Sequence, residues 1–528
     1  MSDPAWLDDY RSRLTSAGVT HTYPGQDFLP PAHSIDLAAG DWRAAAELAK
    51  VIRLRLVGLW GDPVESGFVI RACFASSGEY LVLRTTLPPD EPDLPSIAPL
   101  YPGADRLERH THDLLGIQMV NATDQRPWTR HKAWQATDHP LRPSFDAAGE
   151  PPRRTPSDTE YEFQRVLGSG VYEIPVGPVH AGIIEPGHFR FQAVGEEVLL
   201  LEERLGYVHK GVEKIAVGRD PDALIRLAAR VSGDSAVAHA WAACQAIERA
   251  SRTDVPSRAN HLRALLCERE RVANHLGDIG AICNDVAFSF AHMQCARLRE
   301  DWLRRNGAIF GHRLLMDTLV PGGTSVDLET QQAGELRAAN QALREGLAPL
   351  SDVVSDYPSL DDRLLGTGIL ASQDALDLGC TGYVGKASGQ AFDLRIDAPY
   401  PPYDVVRPTA TVFTEGDVAA RLQVRMGEIH TSLTLLDQLL EQLPRSDHRT
   451  SLSPAEPDAV GLGLVDGWRG EIMTFVRFDG EGRIARFFPR DPSWFTWLAL
   501  ERLIHGNIVP DFPVCNKSVN GSYSGSDL

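Results

Sequence analysis

The stretch Val176–Ala250 reads VGPVHAGIIEPGHFRFQAVGEEVLLLEERLGYVHKGVEKIAVGRDPDALIRLAARVSGDSAVAHAWAACQAIERA, and the rest of the chain is organised around it. It opens on the turn pair Gly177-Pro178. It then alternates through His188-Phe189-Arg190-Phe191 and Val198-Leu199-Leu200-Leu201, which predicts a β-hairpin. Asp220-Pro221 supplies an N-cap with proline at the first helical position, and Leu224, Leu227, Ala228 and Val231 form the apolar stripe that follows. Between hairpin and helix lies Tyr207-Val208-His209-Lys210-Gly211-Val212-Glu213-Lys214. This is a dense group of ionisable side chains at a strand-to-helix junction, a place where proton-handling groups are often held.

Four pieces of this stretch carry a family resemblance: Gly177–His180 (GPVH), Glu185–Phe191 (EPGHFRF), Tyr207–Lys214 (YVHKGVEK) and the frame Arg230–His239. They resemble the catalytic large subunit of membrane-bound, energy-converting nickel–iron hydrogenases of the formate hydrogenlyase type. They are similar, more distantly, to the quinone-site subunit of respiratory complex I. In the hydrogenases the frame reads R-V-C-G-I-C-x-x-A-H, and its two cysteines bind the metal. Here it reads Arg230-Val231-Ser232-Gly233-Asp234-Ser235, with serine at both cysteine positions.

The chain's end offers an independent comparison. Large subunits of that type finish with D-P-C-x-x-C-x-D-R, which supplies the other two thiolates. This sequence finishes Asn520-Gly521-Ser522-Tyr523-Ser524-Gly525-Ser526-Asp527-Leu528, placing Ser522 and Gly525 at the cysteine positions. The resemblance therefore implies no metal on this chain, since Ser232, Ser235, Ser522 and Gly525 stand where four thiolates would be. Neutral hydroxyls are poor donors for a soft nickel–iron centre.

The chain's 528 residues are enough for two or more domains with a substantial core. A hydrophobic content of 43% and a charged content of 23% are those of a soluble globular protein. No apolar run reaches the roughly 18 residues of a membrane span, and the acidic start MSDPAWLDDYRSRL has no apolar leader core. A net charge of −19 argues against nucleic acid and anionic membrane as direct partners. None of the seven cysteines forms a C-x-x-C pair, so neither a zinc ribbon nor an iron–sulfur cluster is predicted. Cys244 and Cys267 fall on apolar helical positions, where buried reduced thiols fit a cytoplasmic location.

Residues 1–145 read as a separate α/β unit, with a helix over Trp6–Leu14 and strands at Val51–Val57, Gly67–Ala75 and Glu79–Thr86. Glu108-Arg109-His110-Thr111-His112-Asp113-Leu114-Leu115-Gly116-Ile117 and Asp138-His139-Pro140-Leu141-Arg142 follow. These resemble the signatures E-R-E-x-x-D-x-x-G-I and G-H-P-L-R-K of the complex I subunit that lies beside the quinone-site subunit. Here His110 or Thr111 stands at an acidic position and Pro143 replaces the lysine. A Pro- and charge-rich linker, residues 146–157, separates this unit from residues 158–528.

Beyond the opening stretch the pattern is largely helical. Stripes run over Ser235–Ala250 and onward from Val255-Pro256, where His261 and His275 lie too far apart to act as a ligand pair. Around Gly382–Asp404, Lys386-Ala387-Ser388-Gly389, Asp393, Arg395, Pro399-Tyr400 and Tyr403 resemble a family segment that lines the reactive cavity. Asp393 and Arg395 read equally as a structural ion pair. Arg421–Glu428 matches R-x-x-V-R-x-x-E, a spacing that predicts an intrahelical Arg425–Glu428 pair.

The fold expected is α+β: a small N-terminal α/β domain, then a larger, mainly helical hydrogenase-large-subunit-like domain with a β-hairpin near its start. Carried over residue by residue, the resemblance nominates Glu213, His209, His180, His239, Asp393 and Arg395 as catalytic residues. Glu213 closes an intact H-x-G-x-E motif and is expected to have a pKa raised by desolvation, suited to proton relay; pairing with an arginine is the competing reading. The complex I quinone tyrosine has no counterpart, its position being Gly233, and Ile184 stands where the second histidine of the G-P-Q-H-P-x-x-H-G loop would be.

Three functions are weighed. One is an electron-transfer subunit of a membrane-associated, ion-pumping oxidoreductase, taking electrons from the iron–sulfur clusters of a neighbouring small subunit to a quinone or other acceptor. The second is a redox-inactive structural subunit of such a complex. The third, a true nickel–iron hydrogenase, is disfavoured by the absent thiolates. The resemblance implies no cofactor on this chain, antiporter-like membrane subunits as further partners, and a peripheral place on the inner face of the cell membrane.

Overall fold

The computed structural model describes residues 4–24, 28–131, 134–135, 137–148, 161–181 and 184–528. Most of the expected linker, 149–157, lies outside the described residues.

The N-terminal unit is a five-stranded sheet in the order His21–Thr22, His33–Leu37, Glu79–Leu87, Gly67–Ser76, Arg55–Val64. Its three longest strands form an antiparallel meander, and His33–Leu37 joins them in parallel. Helices Ala5–Ser16, Trp42–Val51 and Ala104–Leu115 complete the unit. The expected strand at Val51–Val57 is displaced. Val51 ends a helix, and the strand begins at Arg55 after Arg53 adopts a left-handed backbone with φ 60°.

In the second unit the predicted hairpin forms between His188–Val194 and Glu197–Arg204, with Val171–Val176 as a third antiparallel strand. Asp220 caps the helix Pro221–Ala228 by accepting from the Ala223 amide. The long helices Ala236–Ala250, Ser257–Asp285 and Val418–Glu441 build the core.

A second antiparallel sheet, Val460–Gly467, Gly470–Phe478 and Ile484–Arg490, was not anticipated from the sequence. The helix Ala236–Ala250 lies directly on its first strand. A side chain at Gly463 would place a Cβ 1.7 Å from the Ala242 carbonyl oxygen, and one at Gly461 would lie 1.9 Å from that of Ala246. These glycines let backbone meet backbone, and they fix the helix that begins at Ser235.

The two units share a buried, charged seam. Glu471 receives two bonds from Arg55 at 2.9 and 3.0 Å and one each from Tyr80 at 2.6 Å and Arg490 at 2.9 Å. Asp62 pairs with Arg71 and Arg477 at 3.1 and 2.9 Å. Trp60 packs between Phe475 and Phe488, with ring centres 5.2 and 5.8 Å away.

Candidate functional site

The four family ligand positions converge. Ser232 and Ser235 bracket a tight turn before the helix Ala236–Ala250, and Ser522 caps the short helix Tyr523–Asp527. The Gly525 amide donates to Ser522 Oγ at 3.0 Å, and Ser522 Oγ lies 2.7 Å from Ser232 Oγ. Ser232 in turn donates to Asp234 Oδ1 at 2.7 Å. Asp234 is held bidentate by Arg469, both contacts 2.7 Å, and Arg469 also reaches Ser235 Oγ at 3.3 Å. Partial desolvation works against the Asp234 charge, but Arg469 more than offsets it and holds the carboxyl below its ordinary range.

The Gly525 position is walled off as well. A Cβ there would sit 2.8 Å from Asp491 Cγ, inside van der Waals contact. Asp491 accepts from His239 Nε2 at 2.8 Å and from the Ser493 amide at 2.8 Å. Burial opposes its charge, yet these bonds and Arg469 hold its pKa well below the usual carboxylate range.

A nickel–iron centre does not fit these residues. Two of its four ligand positions are hydroxyls bonded to each other, the third faces a guanidinium, and the fourth has no side chain and no room for one.

His180 and His209 flank this site. His180 Nε2 is 3.1 Å from the Tyr523 hydroxyl, and His209 Nδ1 is 2.7 Å from the Asp527 carbonyl oxygen. Burial lowers the pKa of both imidazoles. The Asp527 carboxylate accepts from the Gly206 and Val208 amides at 2.8 and 3.0 Å, while burial raises its pKa to about 7.

Glu213 corrects a sequence expectation. Burial does favour its neutral form, but Arg486 at 2.5 Å and His110 at 2.6 Å outweigh that, and its pKa falls to about 2. The carboxylate is clamped and ionised, and the pairing reading holds. His110 is the residue that stands at an acidic position of the resembled signature.

Asp393 and Arg395 belong to a different cluster. They pair at 2.7 Å, Lys386 reaches Asp393 at 2.6 Å, and Arg395 reaches Glu268 at 2.8 Å, all buried. Burial raises the cost of the Asp393 charge, but Arg395 and Lys386 hold its pKa far down.

The predicted Arg425–Glu428 pair does not form. Arg425 turns to Asp278 at 3.0 Å, and Glu428 is taken by Lys386 and His275 at 2.8 and 2.7 Å. Both side chains are fully packed against neighbouring elements, so tertiary partners replace the intrahelical one. His261 and His275 are core residues whose rings bond the Ser257 carbonyl and Glu428. All seven cysteines are buried and unbridged.

Sequence reading missed Arg469, Asp491, Asp527 and Arg486. Only Asp234 carried a signal, as a carboxylate at the isoleucine position of the hydrogenase frame.

Motif order, fold and vacated ligand positions together define a large subunit of the hydrogenase and complex I class. Three family models match: the respiratory-chain NADH dehydrogenase 30 Kd subunit over residues 33–151, nickel-dependent hydrogenase over 210–277, and the NADH dehydrogenase 49 Kd subunit over 278–457. Formate hydrogenlyase subunit 5 of Escherichia coli (strain K12) is 31% identical over 85% of this chain and 79% of its own length. The C/D subunit of NADH-quinone oxidoreductase from Bacteroides thetaiotaomicron is 27% identical over 96% of this chain and 95% of the relative. A chain from the structure of the membrane-bound sulfane sulfur reductase, an archaeal respiratory membrane complex, superposes with a TM-score of 0.65 at 25% identity. It covers 69% of this chain and 100% of that one. The chain belongs to the family of energy-converting hydrogenase large subunits and the C/D fusion subunits of complex I.

Proposed function

We propose that this chain is a peripheral-arm subunit of a membrane-associated, ion-translocating oxidoreductase that works without a nickel–iron centre. In this reading, iron–sulfur clusters of an adjacent small subunit deliver electrons to a quinone or other acceptor, and antiporter-like membrane subunits carry the ion. Its place would be the inner face of the cell membrane, held through those partners. No helix among the described residues is long and apolar enough to cross a membrane.

The observation that carries the reading is the closure of the ligand positions. The 2.7 Å bond between Ser232 and Ser522 and the Asp491 carboxylate against Gly525 occupy the space where metal ligands would converge.

A redox-inactive structural subunit is the second reading. It is favoured by the Glu213 clamp, which fixes the one intact proton-relay motif as an ion pair.

The test is to purify the intact complex, identify its subunits, and measure metals, hydrogen evolution and reduction of a soluble quinone. Iron without nickel, no hydrogen, and quinone reduction support the first reading. Near-stoichiometric nickel or hydrogen evolution refutes both. Reduced clusters that pass no electrons to any acceptor leave the structural reading.

A further inference from the structure

At the far end of the helix Ala236–Ala250, about 21 Å from Ser235 at 1.5 Å per residue, lies a cavity of about 350 Å³. It is set between that helix, the start of the helix Ser257–Asp285, and the Tyr400-Pro401 turn. Trp241 and Tyr400, packed edge to face at 5.2 Å, form its apolar wall.

The polar lining is unbalanced in one direction. Both Glu248 oxygens are occupied, by Arg263 at 2.6 and 3.0 Å and by the Gly322 amide at 2.8 Å. Gln245, 8% exposed, gives its Oε1 to the Leu464 amide at 3.0 Å, and Thr253 Oγ1 accepts from the Ser453 amide at 2.9 Å. The Glu248, Gln245 and Thr253 acceptors are therefore used.

The donors are not. Among the described residues, the Arg249 guanidinium makes one bond, to the Leu462 carbonyl at 2.5 Å, and has no carboxylate in contact. Burial without a paired anion lowers its pKa to about 10, with Glu248 offsetting only part of that cost. The Gln245 amide nitrogen is uncommitted among the same residues. Arg252 stands exposed at the rim beside Asp254, the one carboxylate of the lining with free oxygens. In a chain of net charge −19, this is a donor-rich, cationic recess.

We propose that this cavity binds a small oxyanion, a carboxylate or a phosphate, with Arg249 as the principal contact and Gln245 Nε2 and Arg252 in support. A partly desolvated guanidinium lacking an anion gains a charge-assisted bond on binding one. This site is independent of the vacated metal positions and of the electron-transfer reading.

The experiment titrates the full-length chain with inorganic phosphate and with benzoate, calorimetrically, at fixed ionic strength held with sodium chloride. Saturable one-to-one binding of either probe is expected; phosphate alone points to a phosphate ligand, and benzoate alone to an aromatic carboxylate. Arg249→Gln should weaken that binding by about tenfold or more, with an unchanged circular dichroism spectrum. Non-saturating heats for both probes, or equal affinity in Arg249→Gln, overturns the proposal. Should Arg249→Gln fail to fold, Arg252→Gln carries the test. It should weaken binding by about threefold, and unchanged affinity there is equally fatal.

Discussion

Replacing Glu213 by glutamine should cost the fold about 3 kcal/mol at neutral pH, and the figure follows from the structure. The side chain is buried, 2.5 Å from Arg486 and 2.6 Å from His110. Its pKa drops from the ordinary 4.5 to about 2, a gap that corresponds to roughly 3 kcal/mol of preference for the charged form in the folded state. Glutamine keeps the shape but leaves the Arg486 guanidinium buried without an anion, a loss of about 3–5 kcal/mol in comparable pairs.

The sign of the pH dependence is fixed as well. The folded pKa lies below the unfolded one, so the stabilisation is fully present above about 4.5 and is lost as pH falls through about 2. Urea unfolding of the purified chain and of Glu213→Gln can be followed by tryptophan fluorescence. Trp494 reports locally, its ring 5.2 Å from that of His110. The stability difference should persist from about pH 8 to pH 5, through the Arg486 pair, and be lost only below the ordinary carboxyl range. A difference under about 0.5 kcal/mol, the scale of ordinary surface changes, would refute the clamp. So would a difference that disappears between about pH 6 and 8, because the carboxyl would then be exchanging its proton near neutrality, as a relay must.

Three further outcomes are expected. Gly525→Cys should destabilise the chain by about 1–3 kcal/mol through overpacking, because its Cβ meets Asp491 Cγ at 2.8 Å; the same urea melts measure it, and an unchanged midpoint would show that the position has room for a side chain. Asp234→Asn should cost about 1 kcal/mol, a modest figure because the Asp234 side chain is 40% exposed, and high salt should shrink it. Limited proteolysis should cut between Asp146 and Ser157 and release fragments that gel filtration still finds together, held by the Glu471 and Asp62 ion pairs; uncut chain would argue against a linker there.

What the sequence made readable was local. The hairpin, the Asp220 cap and the helix after Ser235 each follow from residues within a few positions of one another, and each formed. What it hid was remote. Glu213 was expected to have a raised pKa because its desolvation is visible in a motif. The charges that reverse the effect come from His110, separated by 103 residues, and from Arg486, further still. The Arg425–Glu428 spacing is correct for a helix pair, but a spacing carries no information about Asp278 and Lys386 competing for the same groups. The sheet from Val460 to Arg490 was missed for a related reason. Glycines at 461 and 463 weaken a strand pattern, and their purpose is visible only once a helix is known to lie on them.

The residues at and around the four family ligand positions satisfy one another. With only neutral groups around it Arg469 would be an uncompensated buried cation, among the costlier defects a protein can carry. Here Arg469 has Asp234, at a position where the hydrogenase frame has isoleucine, and His239 has Asp491. The serines close the remaining gap by bonding to each other and to Asp234. Among the described residues, His239 Nδ1, Trp494 Nε1 and Ser526 Oγ are buried without a hydrogen-bond partner. Carboxylates thus supply the negative charge at these positions, and this part of the core is held by the Asp234–Arg469 pair and the Asp491–His239 bond.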